Sequence, residues 1–117
     1  MQNSQKDFHK KLLGRKGELK AEKFLKKKGY KIIGKNIKNK FAEVDILAYK
    51  DKTYWFCEVK TRSTKDYGLP CQAVNYKKQE KYRKFAQGYA IANQIEDIGF
   101  LIVEVVGEEI NLIENAF

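Results

Sequence analysis

Phe41–Arg62, FAEVDILAYKDKTYWFCEVKTR, carries the clearest structural pattern in the chain. Two runs rich in isoleucine, valine and aromatic residues flank Lys50-Asp51-Lys52, a polar triplet suited to a tight turn, and the pattern predicts a β-hairpin. Side chains alternate along a strand, so Glu43, Asp45 and Leu47 share one face of the first strand. Tyr54, Phe56, Glu58 and Lys60 share one face of the second. An even-length turn centred on Asp51 and Lys52 sets Asp45 opposite Glu58 and Glu43 opposite Lys60. Directly opposed residues have Cβ atoms roughly 5 Å apart and point to the same side. An odd-length turn would slip the register by one and disperse the cluster.

Charged residues are rarely buried unless paired or bound to a metal, yet Glu58 and Lys60 close an apolar strand. Two opposed carboxylates repel unless a proton or a cation lies between them. Carboxylates on adjacent strands with a lysine beside them suit a divalent ion acting on phosphate esters, whose chemistry is to polarise the ester and acidify water. The lysine would orient water or meet charge developing on phosphate. The competing reading is a surface hairpin with cross-strand salt bridges, worth little stability. It accounts for Glu43 opposite Lys60 but not for Asp45 opposite Glu58. Glu-x-Lys by itself carries no weight, because the chain also contains Glu18-Leu19-Lys20.

Outward from the hairpin, Asp7 to Lys28 reads as an amphipathic helix, with Leu13, Gly17, Ala21, Phe24 and Leu25 at helical spacing and Gly29 as its stop. Gly14 and Gly17 weaken a helix relative to alanine, and close backbone packing is the expected compensation. Gly14, Glu18, Ala21 and Leu25 run down one stripe, which sets Glu18 at the border of the apolar face. A first strand is expected over Tyr30–Ile37, the second over Phe41–Tyr49 and the third over Thr53–Thr61. A loop with Gly68 and Pro70 then leads to a helix over Asn75–Asn93, with Asn75 as N-cap and Tyr82, Phe85, Ala86 and Tyr89 facing inward. IGFLIVEVV (98–106) is a buried strand and EEINLIENAF (108–117) supplies a short last one. One of Trp55 and Phe56 should enter the core while the other lies beneath a helix.

With 117 residues, 43% of them hydrophobic and 13% aromatic, the chain has the material for one domain with a real core. It carries no apolar run long enough for a membrane span and no secretory block at its start, so a cytoplasmic location is expected. Cys57 and Cys71 follow no metal-binding or redox spacing, and Cys57 fits a small core residue. His9 is the sole histidine, expected in solvent, which argues against a zinc site or a histidine-based triad. Any metal would be held by oxygen. A net charge of +9, concentrated in KKKGYK, GKNIKNK and NYKKQEKYRK, favours a polyanionic partner. Lys77 and Lys78 fall in the last of these segments.

Several separated blocks then resemble one family. GRKGE (14–18) with Ala21 and Leu25, Gly29-Tyr30, Asn36, EVDILA (43–48), EVKTR (58–62), Gly68, Pro70, Ala73-Val74, Lys78-Gln79 and the final ENAF are similar to the YraN family of small, uncharacterised bacterial proteins. Asp45 followed by Glu58-Val59-Lys60 also resembles the PD-(D/E)XK nuclease superfamily. The resemblance spans the chain as a single domain, 1–117. It implies a restriction-endonuclease-like three-layer α/β core with a mixed sheet in the order α-β-β-β-α-β(-β). It implies Asp45 and Glu58 as metal ligands, Lys60 as the catalytic lysine and Glu18 as a helix-borne carboxylate that completes the metal site. Glu43 and Gln79 would support the site, and Arg62, with Lys77 and Lys78, would contact nucleic acid. Magnesium or manganese would be the cofactor and DNA the partner, with branched or single-stranded forms suggested by a similar core in archaeal Holliday-junction resolvases. Ala42 and Gln72 depart from the family's usual glycine and glutamate, and neither is a proposed ligand. A non-catalytic nucleic-acid-binding module on the same fold and an adaptor docking an acidic partner are the alternatives. Tyr67, in the loop before Gly68, is a further candidate substrate contact.

Overall fold

The computed structural model describes residues 2–62 and 75–117, with side chains from Leu13 onward. The elements run α1 (Gln2–Lys27), β1 (Lys31–Lys38), β2 (Glu43–Lys50), β3 (Thr53–Arg62), α2 (Tyr76–Asn93), β4 (Ile98–Val106) and β5 (Glu109–Glu114). The strands form one mixed sheet in the order β1-β2-β3-β4-β5. β3 and β4 are parallel and the other neighbours antiparallel. A parallel pair needs a crossover, and α2 supplies it. The α/β class and the element order agree with the sequence expectation.

The hairpin register is set by its turn. Asp51 and Lys52 both adopt left-handed backbone, with φ of 53° and 63°, the conformation whose twist matches paired strands. The ladder therefore runs from Lys50↔Thr53 to Ile46↔Cys57, the even-turn register. β2 begins at Glu43 rather than Phe41 because Asn39 closes a local turn. Its side-chain oxygen accepts the Phe41 and Ala42 amides at 2.7 and 3.1 Å, a short-range alternative to the ladder.

Each face of the sheet is covered by one helix. Ala21, Leu25 and Tyr30 pack on Ile46, Ala48, Cys57, Leu101, Val103 and Val105. On the other face Tyr82, Phe85 and Ala86 of α2 pack on Leu47, Phe56 and Phe100. Phe56 lies beneath α2 with Phe85 and Tyr89 edge-on to its ring. Trp55 points the opposite way, half-buried beside Tyr30. Cys57 is a buried free thiol, as a core residue should be.

α1 lies close to β3 because Gly17 lacks a side chain. A Cβ there would stand 1.8 Å from Thr61 Oγ1, so the compensation expected for a mid-helix glycine is found at this position. Among the described residues nothing lies within 4 Å of a Cβ built at Gly14, and Leu13 is 43% exposed, so the buried face starts later than the periodicity suggested. The helix ends at Gly29, whose φ of +93° lets the Tyr30 amide return to the Leu25 carbonyl at 2.9 Å. The Asn75 side chain accepts the Lys78 amide at 2.9 Å and caps α2.

Candidate active site

Just past Ile46↔Cys57, the last pair of the β2–β3 register, stand Asp45 and Glu58. The backbone ladder stops there, and Asp45 Oδ2 accepts the Val59 amide at 2.8 Å. Glu58 is only 5% exposed. Its two oxygens are held from α2, Oε1 by the Lys78 ammonium at 2.5 Å and Oε2 by the Tyr82 hydroxyl. Lys78 and Tyr82 are one helical turn apart, so they reach the same carboxylate from neighbouring positions.

Burial pushes the Asp45 carboxyl from an ordinary 3.8 up to about 7. The Glu58 charge adds to the rise, the Val59 amide opposes it, and the Glu18 charge and a hydrogen bond with Glu58 raise it further. Two carboxyls in this relation share a proton or a cation more readily than they ionise together. Glu18 is raised as well, first by burial; the Asn36 side chain hydrogen-bonds it and offsets the Glu43 and Glu58 charges. Asn36 takes left-handed backbone, φ 51°, on β1. Burial also raises the Tyr82 hydroxyl, with the Glu58 and Asp45 charges acting in the same sense, so it remains a donor.

These groups open on a cleft of about 620 Å³. Glu18, Glu43, Asp45 and Glu58 line it from α1 and the hairpin, while Asn75, Lys77, Lys78, Lys81 and Tyr82 line it from α2. Acid on one wall thus faces lysine on the other, at the N-terminal end of a helix with no acidic residue in its first turn. Such a terminus attracts anions through its unpaired amides and its dipole.

Six of the residues singled out in the sequence therefore meet in one cleft: Glu18, Glu43, Asp45, Glu58, Lys77 and Lys78. Lys78, expected to contact nucleic acid, is engaged with Glu58 instead of standing clear of the acids. Lys60, Arg62 and Gln79 are not among the lining residues. Lys60 is half-buried one step beyond Glu58 on the same face, beside Glu104 of β4. Arg62, expected at phosphate, is 8% exposed, with Nε 3.4 Å from Glu104 Oε2. The Gln79 amide closes the first turn of α2 on the Asn75 carbonyl at 3.0 Å. Tyr67, Gly68, Pro70, Cys71 and Gln72 lie outside the described residues. Tyr82, Lys81 and Asn36 were not anticipated here. The inward position of Tyr82 on α2 was legible, but nothing in that spacing ties it to Glu58.

Among the described residues no three His, Cys, Asp or Glu side chains converge as a set that could hold a metal ion. A divalent ion would take Asp45 and Glu58 from the protein, within the one or two carboxylates that magnesium commonly uses. The donor chemistry fits: oxygen ligands only, and a repelling pair that a cation would relieve.

The model of a family described as uncharacterised protein family UPF0102 matches residues 17–107. A UPF0102 protein of Alkaliphilus metalliredigens is 42% identical over 112 residues, covering 92% of this chain and 98% of the relative. One from Alkaliphilus oremlandii is 44% identical over 115 residues, covering 92% and 98%. Another from Caldanaerobacter subterraneus is 40% identical over 121 residues, covering 96% and 99%.

Proposed function

The chain belongs to the uncharacterised protein family UPF0102, and we propose that it is a magnesium- or manganese-dependent nuclease that hydrolyses phosphodiesters in DNA. The observation that carries this reading is the Asp45–Glu58 pair, packed together at a cleft wall with the Asp45 carboxyl raised to about 7. A repelling acid pair costs stability, whereas it suits a cation that relieves the repulsion. A divalent ion bound there would polarise a phosphate ester and acidify water. The protein's own groups have separable parts. Tyr82 orients Glu58, the Val59 amide orients Asp45, and Lys77 and Lys81 draw phosphate to the opposite wall. Glu18 and Glu43 add negative charge beside the pair, and Lys60, adjacent on the face of Glu58, is the lysine assigned to meet charge developing on phosphate.

The test is a panel of linear, single-stranded and four-way DNA incubated with magnesium or manganese, with wild type beside Lys60→Ala and Asp45→Asn. Metal-dependent cleavage by wild type, lost in both variants, is the expected result. Absence of cleavage on every DNA form with either ion would overturn the assignment.

A non-catalytic nucleic-acid-binding module is the second reading, and one observation favours it. Glu58 is already neutralised by Lys78 and oriented by Tyr82, an arrangement that can stand without metal. DNA affinity that falls steeply with salt but is indifferent to Asp45→Ala and to divalent ions would select this alternative.

A further inference from the structure

The two oxygens of Glu58 are held in unlike ways. Oε2 is fixed by Tyr82, which has no exposed surface and packs in the core beneath α2. Oε1 is held by Lys78, whose side chain is 38% exposed while that of Glu58 is 6% exposed. A compact ammonium on a flexible four-carbon stem therefore reaches a buried carboxylate from the cleft side. An ammonium and a small divalent ion both seek carboxylate oxygen, and Oε1 is the oxygen that the part-exposed ammonium holds. Lys77 and Lys81 line the same cleft from the same helix, so phosphate entering there meets lysine on the wall from which Lys78 extends.

We propose that Lys78 is an exchangeable internal cation: it neutralises Glu58 in the resting protein and leaves it for phosphate, vacating Oε1 for the divalent ion. The inference rests on the reading of this cleft as a metal and phosphate site, and it adds that metal and polyanion bind cooperatively. A polyanion that draws Lys78 off Glu58 raises metal affinity, and metal raises polyanion affinity by the same factor. Lys78 is thus a positioning residue for Glu58 in the resting protein and a phosphate contact in the loaded one. Tyr82 keeps Glu58 aimed at the cleft in both.

Calorimetric titration with Mn2+ tests this on wild type, Lys78→Gln and Lys78→Arg, with Lys81→Gln as a charge-matched control on the same wall. Each protein is titrated alone and with a nuclease-resistant phosphorothioate oligonucleotide. Lys78→Gln is expected to bind Mn2+ about tenfold more tightly than wild type in the absence of oligonucleotide, a difference of about 1.4 kcal/mol. Lys78→Arg and Lys81→Gln are expected to shift less. The oligonucleotide should tighten Mn2+ binding to wild type and have much less effect on Lys78→Gln. Circular dichroism melting confirms that each variant is folded, and Lys78→Met replaces Lys78→Gln if the latter is not. Equal or weaker Mn2+ binding by folded Lys78→Gln or Lys78→Met overturns the inference, as does equal enhancement by oligonucleotide in all proteins. If wild type has a Mn2+ site that Asp45→Asn abolishes but Lys78 substitutions leave unmoved, this inference alone fails. If no protein binds Mn2+, the metal reading fails with it.

Discussion

Asp45→Asn in metal-free protein should raise stability near neutral pH, because it removes a charge that the fold holds at a cost. The rise of the Asp45 carboxyl from 3.8 to about 7 means that the folded chain binds a proton more tightly than the unfolded chain does. Its contribution to stability is fully present below the unfolded value, declines as pH rises towards about 7, and is constant above that. At about 1.4 kcal/mol for each tenfold change in proton affinity, the ionised folded form carries a penalty on the order of 4 kcal/mol. The asparagine keeps an oxygen for the Val59 amide but remains a polar group in a confined place, and the repulsion it relieves is shared with Glu58. A net gain of about 2 kcal/mol near pH 8 is therefore expected. For a domain of this size that corresponds to a melting temperature higher by roughly 8 °C. The assay is urea and thermal unfolding of both proteins in EDTA, followed by circular dichroism from about pH 4 to 8. The difference between variant and wild type should be small at the acid end, grow through the middle, and level off. Parallel pH profiles would refute the reasoning, because they would mean that Asp45 titrates alike in the folded and unfolded chains.

Other consequences follow from single contacts. Gly17→Ala puts a methyl 1.8 Å from Thr61 Oγ1 and should destabilise by about 1–3 kcal/mol; Thr61→Ala should recover part of this in a double-mutant cycle. Glu104→Ala removes one partner of Arg62 where the two residues are 7% and 8% exposed, and a loss of about 1–3 kcal/mol in urea unfolding is expected. Phe117 stacks on Phe100 with centroids 4.7 Å apart and meets the Tyr82 ring edge-on. Phe117→Ala should cost about 2–4 kcal/mol and, by loosening Tyr82, weaken metal binding at Glu58.

The Asp45–Glu58 pair was legible in the sequence because its geometry depends on local things. Strand alternation and a two-residue turn fix the register, and the left-handed Asp51 and Lys52 are the physical form of that turn. Gly17 was legible for a similar reason, since a glycine within a helix asks for a close neighbour and Thr61 is that neighbour. Gly14 asked the same question, and among the described residues no neighbour answers it. What could not be read locally depends on how distant elements cross. The hold of Lys78 and Tyr82 on Glu58 requires α2 to lie over the end of β3, which no spacing within α2 discloses. The fate of Arg62 depends on the parallel register of β3 and β4, in which Lys60 pairs with Glu104. That register puts an acid within reach of the arginine, so a residue expected at phosphate is buried in an ion pair. Asn36 reaches Glu18 from a strand position of left-handed backbone, a conformation that strand propensity argues against.

Whether Asp45 and Glu58 hold a divalent ion is decided by an electron paramagnetic resonance titration of Mn2+ into wild type and Asp45→Asn. Wild type is expected to show a Mn2+ site that Asp45→Asn removes while the variant stays folded. Mn2+ binding of equal strength in the two proteins would contradict it.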